Sequence, residues 1–169
     1  MSEDVIAALE TIKKLGIKFK LHNNYCEIYG NGINGFKYKK NLIINAKNSG
    51  TLGRLILGLL IKSPHKIKLI GDKSLSKRDF SRITMPLKKF GANFFFHKNK
   101  NKLPLSILGS KSLKNINYLE KKGSAQCKSS VMLAALNASG TTLIKAAKSR
   151  NHSEILFRYL RIPIKIKKK

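Results

Sequence analysis

A chain of 169 residues can bury a core in one or two compact units, and its 42% apolar composition excludes wholesale disorder. The formal charge of +27 points to anionic partners: phosphorylated metabolites, nucleic acid or an acidic membrane. The lysines are nevertheless spread along the chain, as an AT-rich genome places them wherever solvent tolerates a charge, so charge alone does not choose among those partners.

Residues 2–15 (SEDVIAALETIKKL) read as an amphipathic helix, with Ser2 able to cap it and Val5, Ile6, Leu9, Ile12 and Leu15 on one face. Gly16 is placed to end it. Two short runs, 17–21 and 25–29, are split by Asn23-Asn24 and read as a hairpin. A loop over 30–35 leads to an extended piece near 38–44. A helix follows over 49–62, with Asn48 or Ser49 as its cap and Pro64 beyond its end. Residues 66–70 alternate like a strand. The stretch 76–90 has Phe80, Ile83, Leu87 and Phe90 at helical spacing, and Pro86 inside it should kink or restart the helix. Gly91 terminates it. Strands are expected at 93–97 and 105–108, a helix at 124–138, a strand at 141–145 and a helix at 151–160. The alternation of apolar residues and Lys over 162–169 suggests one more strand.

The order helix, Gly, hairpin, loop and small-residue helix occurs twice, with the helix endings Leu15-Gly16 and Phe90-Gly91 set 75 positions apart. This implies an α/β (α+β) fold of repeated βαβαββ units. The approximate units are 1–62, 63–139 and a truncated 140–169. The chain is expected to be an incomplete piece of a larger domain, with apolar faces left for a partner or for further chain to cover.

The residues suited to chemistry lie at or just before helix starts. Asn48-Ser49-Gly50-Thr51 places small polar groups where a helix presents free N–H groups and the positive end of its dipole. Gly71-Asp72-Lys73-Ser74-Leu75-Ser76-Lys77-Arg78 ends in a guanidinium suited to phosphate or carboxylate. Ser124-Ala125-Gln126 offers hydroxyl and amide groups for sugar-like hydroxyls and phosphate oxygens. A weaker block is Ser149-Arg150-Asn151-His152, whose histidine has no carboxylate partner fixed by the sequence. Cys26 and Cys127 belong to no paired motif, and His22, His65, His97 and His152 have no ligand spacing, so no metal site or disulfide is expected. Residues 1–10 are not a signal peptide, and no apolar run is long enough to cross a membrane, so the expected compartment is the cytoplasm.

With these blocks in this order and approximate spacing, the chain resembles the 5-enolpyruvylshikimate-3-phosphate synthases (3-phosphoshikimate 1-carboxyvinyltransferases). NSGTLGR, GDKSLSKR with PLKKFGA, SAQCKS and SRNHSE carry the resemblance, which extends over essentially the whole chain. It implies the enolpyruvyl-transferase fold, two domains of three βαβαββ units each. It also implies transfer of the enolpyruvyl group of phosphoenolpyruvate to the 5-hydroxyl of shikimate 3-phosphate, through a tetrahedral intermediate. That is a step towards chorismate and the aromatic amino acids. By position, Asn48, Gly50, Thr51, Arg78 and Gln126 would bind phosphoenolpyruvate. Ser124, Ala125, Gln126 and, as in the glyphosate-tolerant branch, Arg150 would bind shikimate 3-phosphate. The resemblance implies no metal or organic cofactor, no nucleic-acid or membrane partner, and a monomeric full-length protein.

The chain departs from the family pattern at Lys47 (usually Gly), Asp79 (usually Pro), Asn151 (usually Asp) and Lys121-Lys122 (usually apolar). The Lys-Ser…Arg block expected upstream and the second domain with its acid/base carboxylates are not in this sequence. No catalytic acid or base is therefore assigned, and a fragment or half of a split enzyme, inactive by itself, is expected. A basic nucleic-acid-binding protein is the alternative from another class, but no signature of an RNA- or DNA-binding module is present. The UDP-N-acetylglucosamine enolpyruvyl transferases lack the SLSKR and SAQxKS blocks seen here.

Overall fold

The computed structural model describes residues 1–167. Helix α1 (Glu3–Lys14) is followed by a hairpin, β1 (Lys18–Leu21) and β2 (Cys26–Tyr29), paired antiparallel. The junction is a glycine C-cap. Gly16 takes a left-handed backbone (φ +82), and the Ile17 amide reaches back to the Ile12 carbonyl at 2.9 Å.

A six-element run then builds the main sheet: β3 (Ile43–Asn45), α2 (Gly50–Leu59), β4 (Ile67–Ile70), α3 (Ser81–Phe90), β5 (Asn93–Phe96) and β6 (Leu105–Leu108). The strand order is β3-β4-β6-β5. The β3/β4 pair is parallel, and the β4/β6 and β5/β6 pairs are antiparallel. This is one βαβαββ unit, with α2 making the parallel crossover and β5 and β6 the closing hairpin. The next elements begin the pattern again: β7 (Asn117–Glu120), α4 (Ala125–Ala135), β8 (Leu143–Ala146) parallel to β7, and α5 (His152–Tyr159).

The core lies between the main sheet and α2, α3 and α4. Ile44, Leu57, Phe80, Leu87, Phe90 and Leu105 are fully buried in it. The tightest packing is between α2 and α4. A Cβ added at Gly58 would fall on the backbone carbonyl of Ser130, so only glycine allows this approach. At the same crossing the Ser130 hydroxyl donates to the Arg54 carbonyl at 2.9 Å. Thr51 meets Gln126, and further along both helices Arg54 and Gly58 meet Ser130, so α2 and α4 run parallel with their N-termini side by side.

Several local expectations are corrected. Helix α3 starts at Ser81 instead of residue 76; the preceding segment is a 3-10 turn (Leu75–Lys77) and an extended Arg78. There the Phe80 amide is tied to the Asn101 carbonyl at 2.8 Å, and the Asp79 carboxylate takes the Ser81 amide at 2.5 Å. Pro86 neither restarts nor breaks α3, which runs to Phe90. In α1 the buried positions are Ala7, Leu9 and Thr11, whereas Val5 and Ile6 are exposed and Ser2 makes no side-chain cap. Residues 162–167 form no strand; 168 and 169 lie outside the described residues. Strand β7 was not anticipated, because its half-buried, polar-rich NYLE lacks clear alternation.

The Gly58 contact carries a test. Gly58→Ala should lower stability by about 1–3 kcal/mol, the usual cost of forcing extra volume into a packed contact. Chemical denaturation reads this directly, and an unchanged midpoint would contradict the packing described.

Candidate active site

The start of α2, the loop after β4 and the start of α4 meet at one cleft of about 380 Å³, which the start of α1 also lines. Asn48, Gly50 and Thr51 line it from the first of these, Arg78 from the second and Gln126 from the third. Five residues from three distant segments are thereby brought together. Ser124 and Ala125 adjoin the cleft as the cap and first residue of α4. Arg150 does not line it; it sits just before α5, with an exposed side chain.

Each helix start is built by capping. The Ser49 hydroxyl accepts the Leu52 amide at 3.2 Å, and the Ser124 hydroxyl accepts the Cys127 amide at 3.2 Å. Ser49 is thus the cap of α2. The Asn48 side chain is directed elsewhere, donating to Asp72 Oδ2 at 2.6 Å. The other oxygen of Asp72 accepts the Leu75 amide at 2.6 Å, and its own amide donates to the Lys47 carbonyl at 2.8 Å. Asp72 therefore braces the Asn48 loop against the Arg78 loop. The Leu75 amide first, and then the Asn48 side chain, hold its carboxyl below the ordinary carboxylate value.

Lys47 holds a left-handed backbone (φ +50), a conformation that costs a residue with a Cβ about 1 kcal/mol or more. A glycine, which the resemblance implies at this position, would adopt it without that cost. Here the amide of Lys47 donates to Asn45 Oδ1 at 2.9 Å, and its ammonium pairs with Glu10 at 3.1 Å.

Gln126 is clamped at both ends of its amide. Arg54 Nη1 donates to its Oε1, and its Nε2 donates to Thr51 Oγ1 at 2.9 Å. Because Arg54 has no acceptor, this pairing fixes which end of the amide is oxygen. Arg54 also lies 6.0 Å from the Phe80 ring centre. Burial, with the nearby Arg78 and Arg82 charges, lowers its pKa, against a raising contribution from Cys127. A guanidinium remains charged through such a shift. Arg78 Nη1 lies so near Gly50 that a Cβ there would be 2.8 Å from it. Small size at Gly50 thus leaves space for the guanidinium at the mouth of α2.

Glu120 anchors the other side. It is 3% exposed; Oε1 accepts Arg82 Nη2 at 2.5 Å, and Oε2 accepts the Ser124 amide at 2.8 Å. Burial opposes its charge, but the Ser124 amide, the Arg82 guanidinium and the Lys122 amide outweigh burial and hold its pKa below the ordinary value. Sequence reasoning assigned no role to Arg54, Asp72 or Glu120. Only the position of Asp72, directly after a strand and before a tight turn, was a signal visible in the chain.

No group of three or more potential metal ligands lies together among the described residues, and no helix there is long and apolar enough to cross a membrane.

The topology and cleft define an enolpyruvyl-transferase fold. The enolpyruvyl transferase NikO from Streptomyces tendae shares it with a TM-score of 0.56 at 11% identity, over 83% of this chain and 30% of that one. A family model described as EPSP synthase (3-phosphoshikimate 1-carboxyvinyltransferase) matches residues 1–169, and the chain belongs to that family. It is 39% identical over 153 residues to the 3-phosphoshikimate 1-carboxyvinyltransferase of Streptococcus mutans, and 38% identical over 165 residues to that of Caldicellulosiruptor bescii. These alignments cover 90% and 97% of this chain but only 36% and 38% of those relatives. The EPSP synthase structure from Acinetobacter baumannii superposes with a TM-score of 0.92 at 34% identity, over 99% of this chain and 38% of that one.

Glu120 supplies a test with a defined sign. Its folded pKa is depressed, so its stabilisation is fully present above the ordinary carboxylate value of 4.5 and fades as pH falls through the lower folded value. Glu120→Gln should cost about 1–3 kcal/mol near neutral pH, discounted for the partly exposed Arg82. The gap between variant and wild type should narrow only below about pH 4.5. Thermal melts across pH read this, and a gap unchanged at the acid end would contradict the ion pair.

Proposed function

We propose that this chain forms one wall of a site transferring the enolpyruvyl group of phosphoenolpyruvate to the 5-hydroxyl of shikimate 3-phosphate. The single observation carrying this reading is the convergence of Asn48, Gly50, Thr51, Arg78 and Gln126 on one cleft. Those are the residues that the family pattern gives to phosphoenolpyruvate. Family membership and the names of the relatives support the same reading.

In this reading the phosphate of phosphoenolpyruvate sits at the N-terminus of α2, against free backbone N–H groups, the positive end of the helix and the Arg78 guanidinium. Gln126, held by Arg54 and Thr51, contacts both substrates. Ser124, Ala125 and Arg150 face shikimate 3-phosphate. The 5-hydroxyl oxygen adds to C2 of phosphoenolpyruvate as its own proton leaves to a base and C3 gains a proton, giving a tetrahedral adduct. That adduct then loses phosphate from C2 and a proton from C3, leaving the enolpyruvyl ether. The cationic wall stabilises the several negative charges brought together in these steps. The groups that move protons are assigned to parts of the longer relatives that this chain does not align with. Within the family organisation, the chain corresponds to part of a first domain; its complete βαβαββ unit runs from β3 to β6, across the boundary near residue 62 that the sequence suggested.

Titration calorimetry with phosphoenolpyruvate, with and without shikimate 3-phosphate, tests the reading. Arg78→Ala should weaken phosphoenolpyruvate binding by about 1.5–3 kcal/mol, the scale of hydrogen bonds to a charged group. An affinity unchanged by Arg78→Ala would overturn the assignment of this wall.

A further inference from the structure

We infer that Lys128 is a positioning residue that sets Arg150 for the second substrate by holding the segment 150–154 against α4. The inference rests on the assignment of Arg150 to shikimate 3-phosphate made above. Lys128 lies near the N-terminus of α4, where a cation opposes the helix dipole, and it is only 7% exposed. A buried cation in that position is unfavourable on both counts unless its surroundings compensate. They do so through residues far along the chain. Lys128 Nζ donates to Glu154 Oε1 at 2.5 Å and to the backbone carbonyl of Arg150 at 3.0 Å. Beside it, the hydroxyls of Ser129 and Ser153 are 2.5 Å apart.

These three links hold α5 to the body of the protein. Apolar packing contributes little there: Phe157 is buried, whereas Ile155, Leu156, Tyr159 and Leu160 are exposed. The same first turns of α4 therefore look two ways. Gln126 is tied to Thr51 and Arg54 on the α2 side, and Lys128 is tied to Arg150 and Glu154 on the α5 side. One helix start thus sets the spacing between the residues given to the two substrates. A local choice that opposes the helix dipole, retained through a buried tertiary link, marks a constraint beyond folding.

The test is a double-mutant cycle on the full 169-residue chain, with shikimate 3-phosphate and phosphoenolpyruvate titrated separately. Lys128→Met should weaken shikimate 3-phosphate binding about tenfold or more, the scale of a lost hydrogen bond to a charged group. Phosphoenolpyruvate binding should stay within about twofold, because that wall does not depend on α5. In an Arg150→Ala background, Lys128→Met should add almost nothing. If Lys128→Met does not fold, Glu154→Gln is used in the same cycle, with the same ligand selectivity expected. Equal losses for both ligands, or losses that simply add to those of Arg150→Ala, would overturn the positioning role. If Arg150→Ala alone leaves shikimate 3-phosphate binding unchanged, the assignment of Arg150 fails instead, and this inference falls with it.

Discussion

The contact between α2 and α4 is the constraint on which the rest of the structure depends. Gly58 lets the two helices approach until the Ser130 backbone lies where a side chain would otherwise be. Because the helices run parallel, that approach also sets their N-termini beside one another. Two positive dipole ends at close range repel, and Arg54, Arg78 and Arg82 add like charge nearby. Among the protein's own groups, Glu120 compensates on the Arg82 side, and Gln126 engages Arg54 with a neutral amide. On the α2 and α4 side of the cleft, Arg78 and the two helix starts favour an anion, while Glu3 and Asp4 of α1 also line the cleft and oppose it. The grouping of these cations and helix starts at one cleft is thus a consequence of how the core packs.

The polar links on the site are arranged in two levels. Asn48, Gly50, Thr51, Arg78 and Gln126 face the cleft, while Asp72, Arg54 and Glu120 fix the segments that carry them. Asp72 joins two loops that both end at the cleft. Glu120 joins the end of β7 to the first turn of α4. Each brace is a carboxylate or cation with charge-assisted hydrogen bonds, the kind that combines strength with directional control. This explains how short loops between regular elements hold the cleft-lining groups in place.

Much of this was legible in the sequence, for identifiable reasons. Capping signals and apolar periodicity act locally, so the α2 cap is narrowed to Asn48 or Ser49, and Gly16 and the two hairpins are read from adjacent residues. The repeat was legible because the same helix ending recurs. The cleft residues were legible because three blocks with anion-binding character each preceded a helix. What was not legible depends on tertiary partners. Arg54 meets Gln126 across the α2–α4 interface, and Glu120 meets Arg82 from another element. The start of α3 was misplaced because the tie between Phe80 and Asn101 overrides helical spacing. On the expected face of α1, Leu9 and Leu15 are buried but Val5 and Ile6 are exposed, because apolar periodicity does not say which elements cover a face.

The most direct test of the account is a two-dimensional amide NMR titration of the chain with phosphoenolpyruvate. The account predicts saturable shifts concentrated at Asn48–Thr51, the Arg54 side chain and the Gln126 side-chain amide, with the β1–β2 hairpin silent. Those signals come from separate segments and should titrate with one common affinity. Shifts confined to exposed lysines, or different affinities at the α2 and α4 starts, would contradict a single anion-binding wall.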